Sequence, residues 1–221
     1  MKKKGWLAAG ICAVLFIILI LLVKKVDTAV IGNTGKEVGL SALNRLLYKE
    51  TPNMTWYFVT EVLGYLALLV AAAFAVLGMV QMIQRKSLLK VDPSILALGG
   101  LYIVVLGIYA LFNKVVINYR PIMLPDELAP EASFPSSHTM LAIVVLGSGM
   151  MVLPDYLTDR KLLRSVQSAG LAMMAILVFG RLLSGAHWLT DIIGGVLISA
   201  ALLAAFAAVR AKIQQRISAA G

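Results

Sequence analysis

Two histidines and one carboxylate are the residues of this sequence best suited to chemistry. His187 and Asp191 lie four positions apart at the start of an apolar segment, so a helix would place them on one face. A carboxylate that accepts a hydrogen bond from one imidazole N–H leaves the other nitrogen free as a base or nucleophile. The alternative is a structural pair, in which Asp191 interacts favourably with the helix dipole.

The second histidine, His138, follows Pro135, Ser136 and Ser137 directly before another apolar segment. Ser136 is a candidate N-cap, so the free backbone N–H groups of the first helical turn would lie beside His138. Such donors, together with the partial positive charge of a helix N-terminus, suit phosphate or sulfate. The pattern predicts an anion site, although an ordinary capped helix with a polar histidine at the membrane interface accounts for the same residues.

Three cations, Lys114, Arg120 and Arg181, lie near the same ends of the predicted helices. Arginine suits bidentate contacts with phosphate, and lysine adds a point charge. Each of them alone could instead extend to the lipid headgroups. Together with two histidines and a helix N-terminus, they match the needs of phosphoryl transfer: charge neutralisation, a nucleophile and an acid.

Apolar segments must position these groups, because the composition is that of a membrane protein. Of the 221 residues, 60% are hydrophobic and 14% are charged, and the mean hydropathy is +0.89. Soluble domains carry about 25% charged residues, so a cytosolic enzyme and a disordered chain are both excluded. The apolar runs predict an all-α bundle of six transmembrane helices that forms one domain over residues 1–221. The predicted spans are Trp6 to Val23, Trp56 to Ile83, Pro93 to Phe112, Ser137 to Leu153, Leu163 to Leu183 and His187 to Ala211.

Clusters of positive charge predict the orientation of the bundle. They lie on the side of the N-terminus, which the positive-inside rule makes cytoplasmic. We therefore expect both termini in the cytoplasm of a multi-pass cell-membrane protein, with the histidines and cations at the outer face. The net charge of +9 then reflects topology and not nucleic-acid binding. The clusters are Lys2–Lys4, Arg85 with Lys86 and Lys90, Arg160 with Lys161 and Arg164, and Arg210 with Lys212 and Arg216.

The first outer loop is the least regular part of the pattern. It carries basic residues on the outer side, diluted by acidic ones, and an apolar stripe over residues 37–49. An interfacial helix and a plain solvated loop both account for that stripe. Trp6, Trp56 and Trp188 fall at predicted span ends, where membrane-interface aromatics are common, and we assign them no catalytic role.

The motifs also resemble a known family. Lys114-x5-Arg120-Pro121, Pro135-Ser136-Ser137-His138 and Gly180-Arg181-x5-His187-x3-Asp191 are similar to the three signatures of the type-2 phosphatidic acid phosphatase superfamily. Its membrane branch includes lipid phosphate phosphatases, phosphatidylglycerophosphate phosphatases and undecaprenyl pyrophosphate phosphatases.

The resemblance implies a metal-independent phosphatase that acts on a lipid phosphomonoester or pyrophosphate. His187 would attack phosphorus to form a phosphohistidine, Asp191 would orient it, and His138 would protonate the leaving oxygen. The phosphate oxygens would be held by a larger group of residues. They are Lys114, Arg120, Ser136, the backbone at Ser137, and Arg181. Phosphatidylglycerophosphate, phosphatidate and undecaprenyl pyrophosphate all remain open as substrates.

The chain departs from the family pattern at three positions. Five residues instead of six separate Lys114 from Arg120, so Asn113 stands where the family has lysine, and Lys114 is turned by about 100° around the helix. Ser137 replaces a glycine and Gly180 replaces a serine. We expect activity to survive these last two changes.

The sequence predicts no cofactor and no metal site. Asp126, Glu127 and Glu131 share one outer loop and could bind Mg²⁺, but no second ligand set accompanies them, and a solvated loop fits better. A single cysteine, Cys12, excludes a disulfide within the chain. The expected partners are the bilayer and a membrane lipid phosphate, with no nucleic acid and no signal of oligomeric state.

Other kinds of membrane protein share parts of this pattern. A transporter for anionic phosphorylated lipids would also use arginine, lysine and histidine, but near the membrane midplane. A scaffold protein would explain the hydropathy but not the motif spacing. A phosphotransferase would use the same residues to pass phosphate to another lipid. Glu61, inside the second predicted span, either makes a packing hydrogen bond or lines the pocket.

Overall fold

The protein is a bundle of six long apolar helices, as the sequence predicts. The computed structural model describes residues 2–32, 34–48, 51–123 and 129–220. Each of the six helices is long and apolar enough to cross a membrane, and within the described ranges one short helix accompanies them. The helices are α1 (Lys2–Lys25), α2 (Ser41–Arg45), α3 (Met54–Arg85), α4 (Pro93–Lys114), α5 (Ser137–Val152), α6 (Arg160–Leu183) and α7 (Leu189–Ala220). Short 3₁₀ turns cover Leu88–Lys90 and Leu153–Asp155.

Polar residues in the loops determine where several helices begin. The side chain of Asn53 accepts a hydrogen bond from the backbone N–H of Trp56, at 3.1 Å, and so caps α3. Asp159 caps α6 in the same way, with 2.8 Å between its carboxylate and the amide of Lys161. These caps satisfy backbone donors that have no partner within the helix.

Helix α5 is the most enclosed of the six spans. Of its apolar stretch 56% is buried, compared with 39% or less for the others. Small residues let its neighbours approach closely: the backbone of Gly147 lies against Leu203 of α7, and Gly149 lies against Phe74 of α3. Large apolar side chains such as Phe58, Ile103 and Phe179 are exposed, as expected of side chains that contact lipid.

A polar cluster ties the helices together at the end of the bundle where α3 finishes and α4 begins. The carboxylate of Asp92 accepts hydrogen bonds from Gln81 at 2.8 Å, Arg85 at 2.7 Å and Tyr156 at 2.8 Å. Partial burial raises the pKa of Asp92, but these three donors outweigh it and leave the pKa below its ordinary value. Partial burial and the neighbouring carboxylate together raise the pKa of Tyr156 to about 12. These contacts hold helices together at the end of the bundle opposite the predicted site.

The first loop forms a small folded unit, which we call the first-loop cap (residues 26–32 and 34–48). Neither alternative for residues 37–49 describes it fully. Strand β2 (Glu37–Val38) pairs antiparallel with β1 (Ala29–Val30), and only Ser41–Arg45 is helical. The reason is tertiary: Val38 is buried against Ile31 and Trp188.

Trp188 is at the end of a span as predicted, but its side chain is buried within the protein and does not face lipid headgroups as an interfacial aromatic would. Its indole N–H donates to the backbone carbonyl of Tyr119 at 2.7 Å, and its ring packs against Tyr48. Beside it, the Asn44 side-chain amide donates to the hydroxyl of Thr190 and accepts from the backbone N–H of Thr190, both at 3.1 Å. The first-loop cap thereby fixes the start of α7.

Candidate active site

Three helix ends meet at the end of the bundle opposite the Asp92 cluster. They are the start of α5, the end of α6 and the start of α7. The backbone N–H of Ser136 donates to the carbonyl of Asp191 at 3.0 Å and joins the first of these to the last. The start of α3 is held beside them, because the N–H of Asn53 donates to the carbonyl of Ser184 at 3.0 Å. The second and third predicted motifs are thus brought together.

His187 and Asp191 form the expected pair. Nδ1 of His187 lies 3.5 Å from Oδ2 of Asp191, and both side chains are buried. His187 precedes the first residue of α7, so the pair sits in the turn that enters the helix and not on a helical face. Asp191 is itself fixed by neighbours: Oδ2 accepts the backbone N–H of Trp188 at 3.0 Å, and Oδ1 accepts from Asn118 at 3.5 Å.

The His187 ring is suited to act as a nucleophile. Burial, followed by the positive charges of Arg181 and Arg120, holds the pKa of its imidazole well below the ordinary range. The ring is therefore neutral at pH 7, with a lone pair available. Within the described part of the chain, neither Nδ1 nor Nε2 makes a hydrogen bond, so the 3.5 Å approach of Nδ1 to Asp191 is a contact and not a formed hydrogen bond.

His187 lines a cleft of about 80 Å³, which we call the histidine cleft. Arg120, Asn113 and Ser137 contribute polar groups to its wall. Arg120 also forms an ion pair with Glu131, with 3.0 Å between Nη2 and Oε2. The two residues are joined again through the backbone, because the N–H of Arg120 donates to the carbonyl of Glu131 at 3.0 Å. A cation therefore stands beside the neutral imidazole in a partly enclosed space.

His138 and Arg181 belong to an adjoining group. Nη2 of Arg181 lies 3.1 Å from Nδ1 of His138, and Nη1 donates to Glu61 at 3.0 Å and to the hydroxyl of Thr60 at 3.2 Å. Arg181 is completely buried, with its guanidinium 5.0 Å from the ring centre of Tyr57. The sequence predicted that His138 and Arg181 meet, but it did not predict the contact between Arg181 and Thr60.

His138 and Glu61 line a second cavity of about 350 Å³, which we call the side cavity. Apolar residues of α3, α4 and α5 form most of its wall. They include Leu68, Val105, Leu106 and Leu141. The side cavity and the histidine cleft share Tyr109, Ser137 and Met140, so the two imidazoles face adjoining spaces.

The remaining predicted residues have different environments. Ser137 lines both cavities, whereas Ser136 is fully buried, and its hydroxyl caps α5 by accepting from the N–H of Thr139. Lys114 is exposed at the end of α4 and lines neither cavity, whereas Asn113 lines the histidine cleft. The structure therefore brings Asn113, and not Lys114, to the site.

Gly180, which replaces a family serine, faces α3 and neither cavity. A Cβ atom there would lie 2.6 Å from Cγ2 of Thr60 and 3.0 Å from Cε3 of Trp56. A serine at this position would require the side chains of Thr60 and Trp56 to shift. The hydroxyl that contacts Arg181 comes from Thr60 instead.

The predicted carboxylate loop is only partly described. Asp126 and Glu127 lie outside the described residues, and Glu131 is paired with Arg120. In the ranges that the structure describes, no group of three or more histidine, cysteine, aspartate or glutamate side chains could hold a metal ion.

Sequence reasoning missed three residues of this site and left the role of a fourth, Glu61, open. Asn118 contacts Asp191, Thr60 contacts Arg181, Asn44 fixes the start of α7, and Glu61 joins His138 to Arg181. The sequence alone marks Glu61 as a candidate, because a carboxylate inside an apolar span is costly unless it is paired. The other three are ordinary polar residues whose partners are distant in the sequence.

The fold and the site define a class: an integral-membrane helical protein that gathers two imidazoles, a buried carboxylate and two arginines at one end of the bundle. The sequence profile of the PAP2 superfamily matches residues 67–215, and the chain belongs to that superfamily.

Among solved structures, the fold is similar to that of a transmembrane PAP2-type phosphatidylglycerolphosphate phosphatase from Bacillus subtilis. The TM-score is 0.58 at 19% sequence identity, and the alignment covers 94% of this chain and 96% of that one. A comparison with curated proteins found no match. The chain therefore has a PAP2-type transmembrane fold along nearly its whole length.

Proposed function

We propose that the protein is an integral-membrane lipid phosphatase that hydrolyses a phosphomonoester or pyrophosphate on a lipid headgroup. One observation carries the proposal: a buried His187 and Asp191 pair opens on a cleft that also contains Arg120. A neutral imidazole beside a fixed cation is suited to attack an anionic phosphorus centre. Membership of the PAP2 superfamily supports the same assignment.

The reaction would proceed in two in-line steps. In the first, Nε2 of His187 forms a bond to phosphorus as the bond to the leaving oxygen breaks, and His138 gives that oxygen a proton. In the second, water attacks the phosphohistidine, the N–P bond breaks, and inorganic phosphate leaves. Asp191 holds Nδ1 throughout and stabilises the positive charge that develops on the ring.

Arg120, Arg181 and the start of α5 would hold the phosphate oxygens. Arg120 and Ser137 already line the histidine cleft. Ser136 would contribute by fixing the first turn of α5, and its hydroxyl caps that turn. We propose no direct phosphate contact for Lys114, since Asn113 lines the cleft in its place. No metal or other cofactor enters this scheme.

A lipid substrate fits the shape of the site. The polar histidine cleft adjoins the larger side cavity, whose walls are mostly apolar, so a phosphate and an acyl or isoprenyl chain would each have a suitable environment. The phosphatase from Bacillus subtilis with a similar fold makes phosphatidylglycerophosphate the first candidate to test, followed by phosphatidate and undecaprenyl pyrophosphate.

We further propose a plasma-membrane location, with both termini cytoplasmic and the site at the outer face. The support is the distribution of positive charge, which concentrates on the side of the termini. The chain would work as one transmembrane phosphatase domain over residues 1–221.

The decisive experiment measures phosphate release by the purified protein in detergent. The three candidate lipids are supplied separately, each with and without excess chelator. We expect release from at least one of them, at a rate that the chelator does not change. No release from any lipid, together with transport or binding of the intact molecule, would contradict the proposal. Transfer of the phosphate group to an acceptor lipid in place of water would identify a phosphotransferase.

The dependence of kcat/KM on pH is expected to be bell-shaped, with its acidic limb below the ordinary histidine value of 6.5. Protonation of His187 removes the attacking lone pair, so activity rises as the pH rises through the pKa of His187, which is lowered. The basic limb would report loss of the proton that His138 donates. Initial rates between about pH 4 and 9 measure both limbs. A flat profile over that range would argue against two histidines in these roles.

A further inference from the structure

Glu61 belongs to none of the three motifs, yet it contacts two residues of the site. It lies on α3, and 26% of its side-chain surface is exposed. Oε1 is 3.2 Å from Nε2 of His138 and 3.0 Å from Nη1 of Arg181. A glutamate inside a membrane span is costly, and this one is placed where it meets both an imidazole and a guanidinium.

The contacts of His138 determine which of its nitrogens carries the proton in the resting protein. Arg181 lies 3.1 Å from Nδ1, and a guanidinium can only donate hydrogen bonds. Nδ1 must therefore accept, so the proton of the neutral ring lies on Nε2 and is donated to Glu61. The charged groups around His138 are Glu61 from α3, Arg181 from α6 and, further away, Arg120 from the loop after α4.

The two imidazoles thus use opposite nitrogens to meet their carboxylates. Asp191 lies beside Nδ1 of His187 and leaves Nε2 for phosphorus. We propose that Glu61 is a positioning residue that holds Nε2 of His138 and so makes Nδ1 the atom that protonates the leaving oxygen. This inference rests on the proposed phosphatase function.

The surrounding residues support a fixed position for the ring. Gly64, one turn after Glu61, leaves room for it: a Cβ atom there would come within 3.0 Å of Cδ2 of His138. Gly180 lets α3 approach α6 closely enough for Glu61 to reach Arg181. Moving Glu61 would therefore disturb the orientation of His138 and the position of Arg181 together.

The proton transfers balance in the following way. The arriving phosphate ester, as its monoanion, draws Arg181 away from Nδ1 and gives its own proton to Nδ1, so that the ring becomes an imidazolium still bonded to Glu61 through Nε2. As the P–O bond breaks, the Nδ1 proton passes to the leaving oxygen, and the ring is neutral again. The water that attacks the phosphohistidine gives a proton to Nδ1, and Nδ1 passes it to the departing inorganic phosphate, which restores the neutral ring.

The first test compares two leaving groups in the variant Glu61→Gln. An alkyl phosphate needs a proton on its departing oxygen, whereas an aryl phosphate with the same chain length leaves as a stable phenolate. We expect kcat for the alkyl phosphate to fall at least about tenfold, with little change for the aryl phosphate, because general-acid catalysis contributes about 10² to 10⁴-fold. Glu37→Gln, which makes the same change at an exposed position of the first-loop cap, is the matched control and should alter neither rate. Equal losses for both esters in Glu61→Gln would overturn the inference.

The second test uses the wild-type protein, so it does not depend on whether a Glu61 variant folds. The chain contains two histidines, so ¹⁵N-histidine labelling of the wild-type protein gives signals from two rings only. At about pH 9, where both rings are neutral, we expect His138 as the Nε2–H tautomer and His187 as the Nδ1–H tautomer. His138→Gln assigns the signals. The Nδ1–H tautomer at His138 would refute the inference.

The two proposals fail separately. If the wild-type protein releases phosphate from no ester, the phosphatase assignment fails, while the tautomer measurement still decides whether the proton of His138 lies on Nε2, beside Glu61. If the wild-type protein is active but the tautomer or the leaving-group effect is wrong, only the role of Glu61 is lost.

Discussion

Replacing His187 by alanine is expected to abolish phosphate release, with a loss of kcat on the order of 10⁴-fold or more. The reason is that no other group can take its place. The chain has two histidines, and in the described structure His138 is occupied by Arg181 and Glu61. Removal of the imidazole leaves a cleft that can hold an anion but cannot attack it. The measurement is the initial rate of phosphate release in detergent.

A trapping experiment tests the same prediction more directly. A brief reaction with a ³²P-labelled lipid phosphate should label the wild-type protein through an acid-labile, base-stable bond, and should leave His187→Ala unlabelled. Lys36→Ala is a suitable control. Lys36 belongs to the first-loop cap, where it lies near the ring of Tyr119, and it lines neither cavity. Normal turnover by His187→Ala would exclude His187 as the nucleophile.

The second large effect is expected for Asp191→Asn. Asparagine has almost the same shape but no negative charge, and its amide can present a donor where the carboxylate accepts from Trp188. It would favour the wrong tautomer of His187 and would not stabilise positive charge on the ring. By analogy with the loss of a triad carboxylate, we expect kcat to fall about 10³ to 10⁴-fold.

The distinguishing feature of Asp191→Asn is that KM should change little, since Asp191 is fully buried and does not line the histidine cleft. Asn118→Ala removes a neighbour of Asp191 without altering the charge and should have a much smaller effect on kcat. The thermal midpoint of each variant in detergent separates loss of catalysis from loss of folding. A large rise in KM with unchanged kcat would assign Asp191 to binding and not to orientation of the ring.

The membrane helices were predictable because an apolar run has few alternatives in a bilayer. A segment such as residues 93–112 must satisfy its backbone groups internally, and a helix achieves this from local sequence alone. The observed α4, Pro93–Lys114, begins at the predicted residue. The first-loop cap was not predictable in the same way. Val38 is buried by Trp188, and nothing near Val38 in the sequence predicts that contact.

The site was predictable in its motif residues and less so in their surroundings. His187 and Asp191 meet as expected, although in a helix-entry turn and not along a helical face. Lys114 was misleading because a shift of one residue rotates a side chain by about 100°, and Asn113 faces the cleft instead. Thr60, Asn118 and Asn44 contribute through contacts between distant segments, which a single sequence does not reveal.

The hydrogen bonds between Asn44 and Thr190 join residues 146 positions apart in the chain. During synthesis α7 is inserted after α1 to α6, so the contacts that hold the turn containing His187 form only once α7 has met the first-loop cap. The proposed active site would therefore stay incomplete, and inert towards the surrounding lipids, until α7 has joined the bundle.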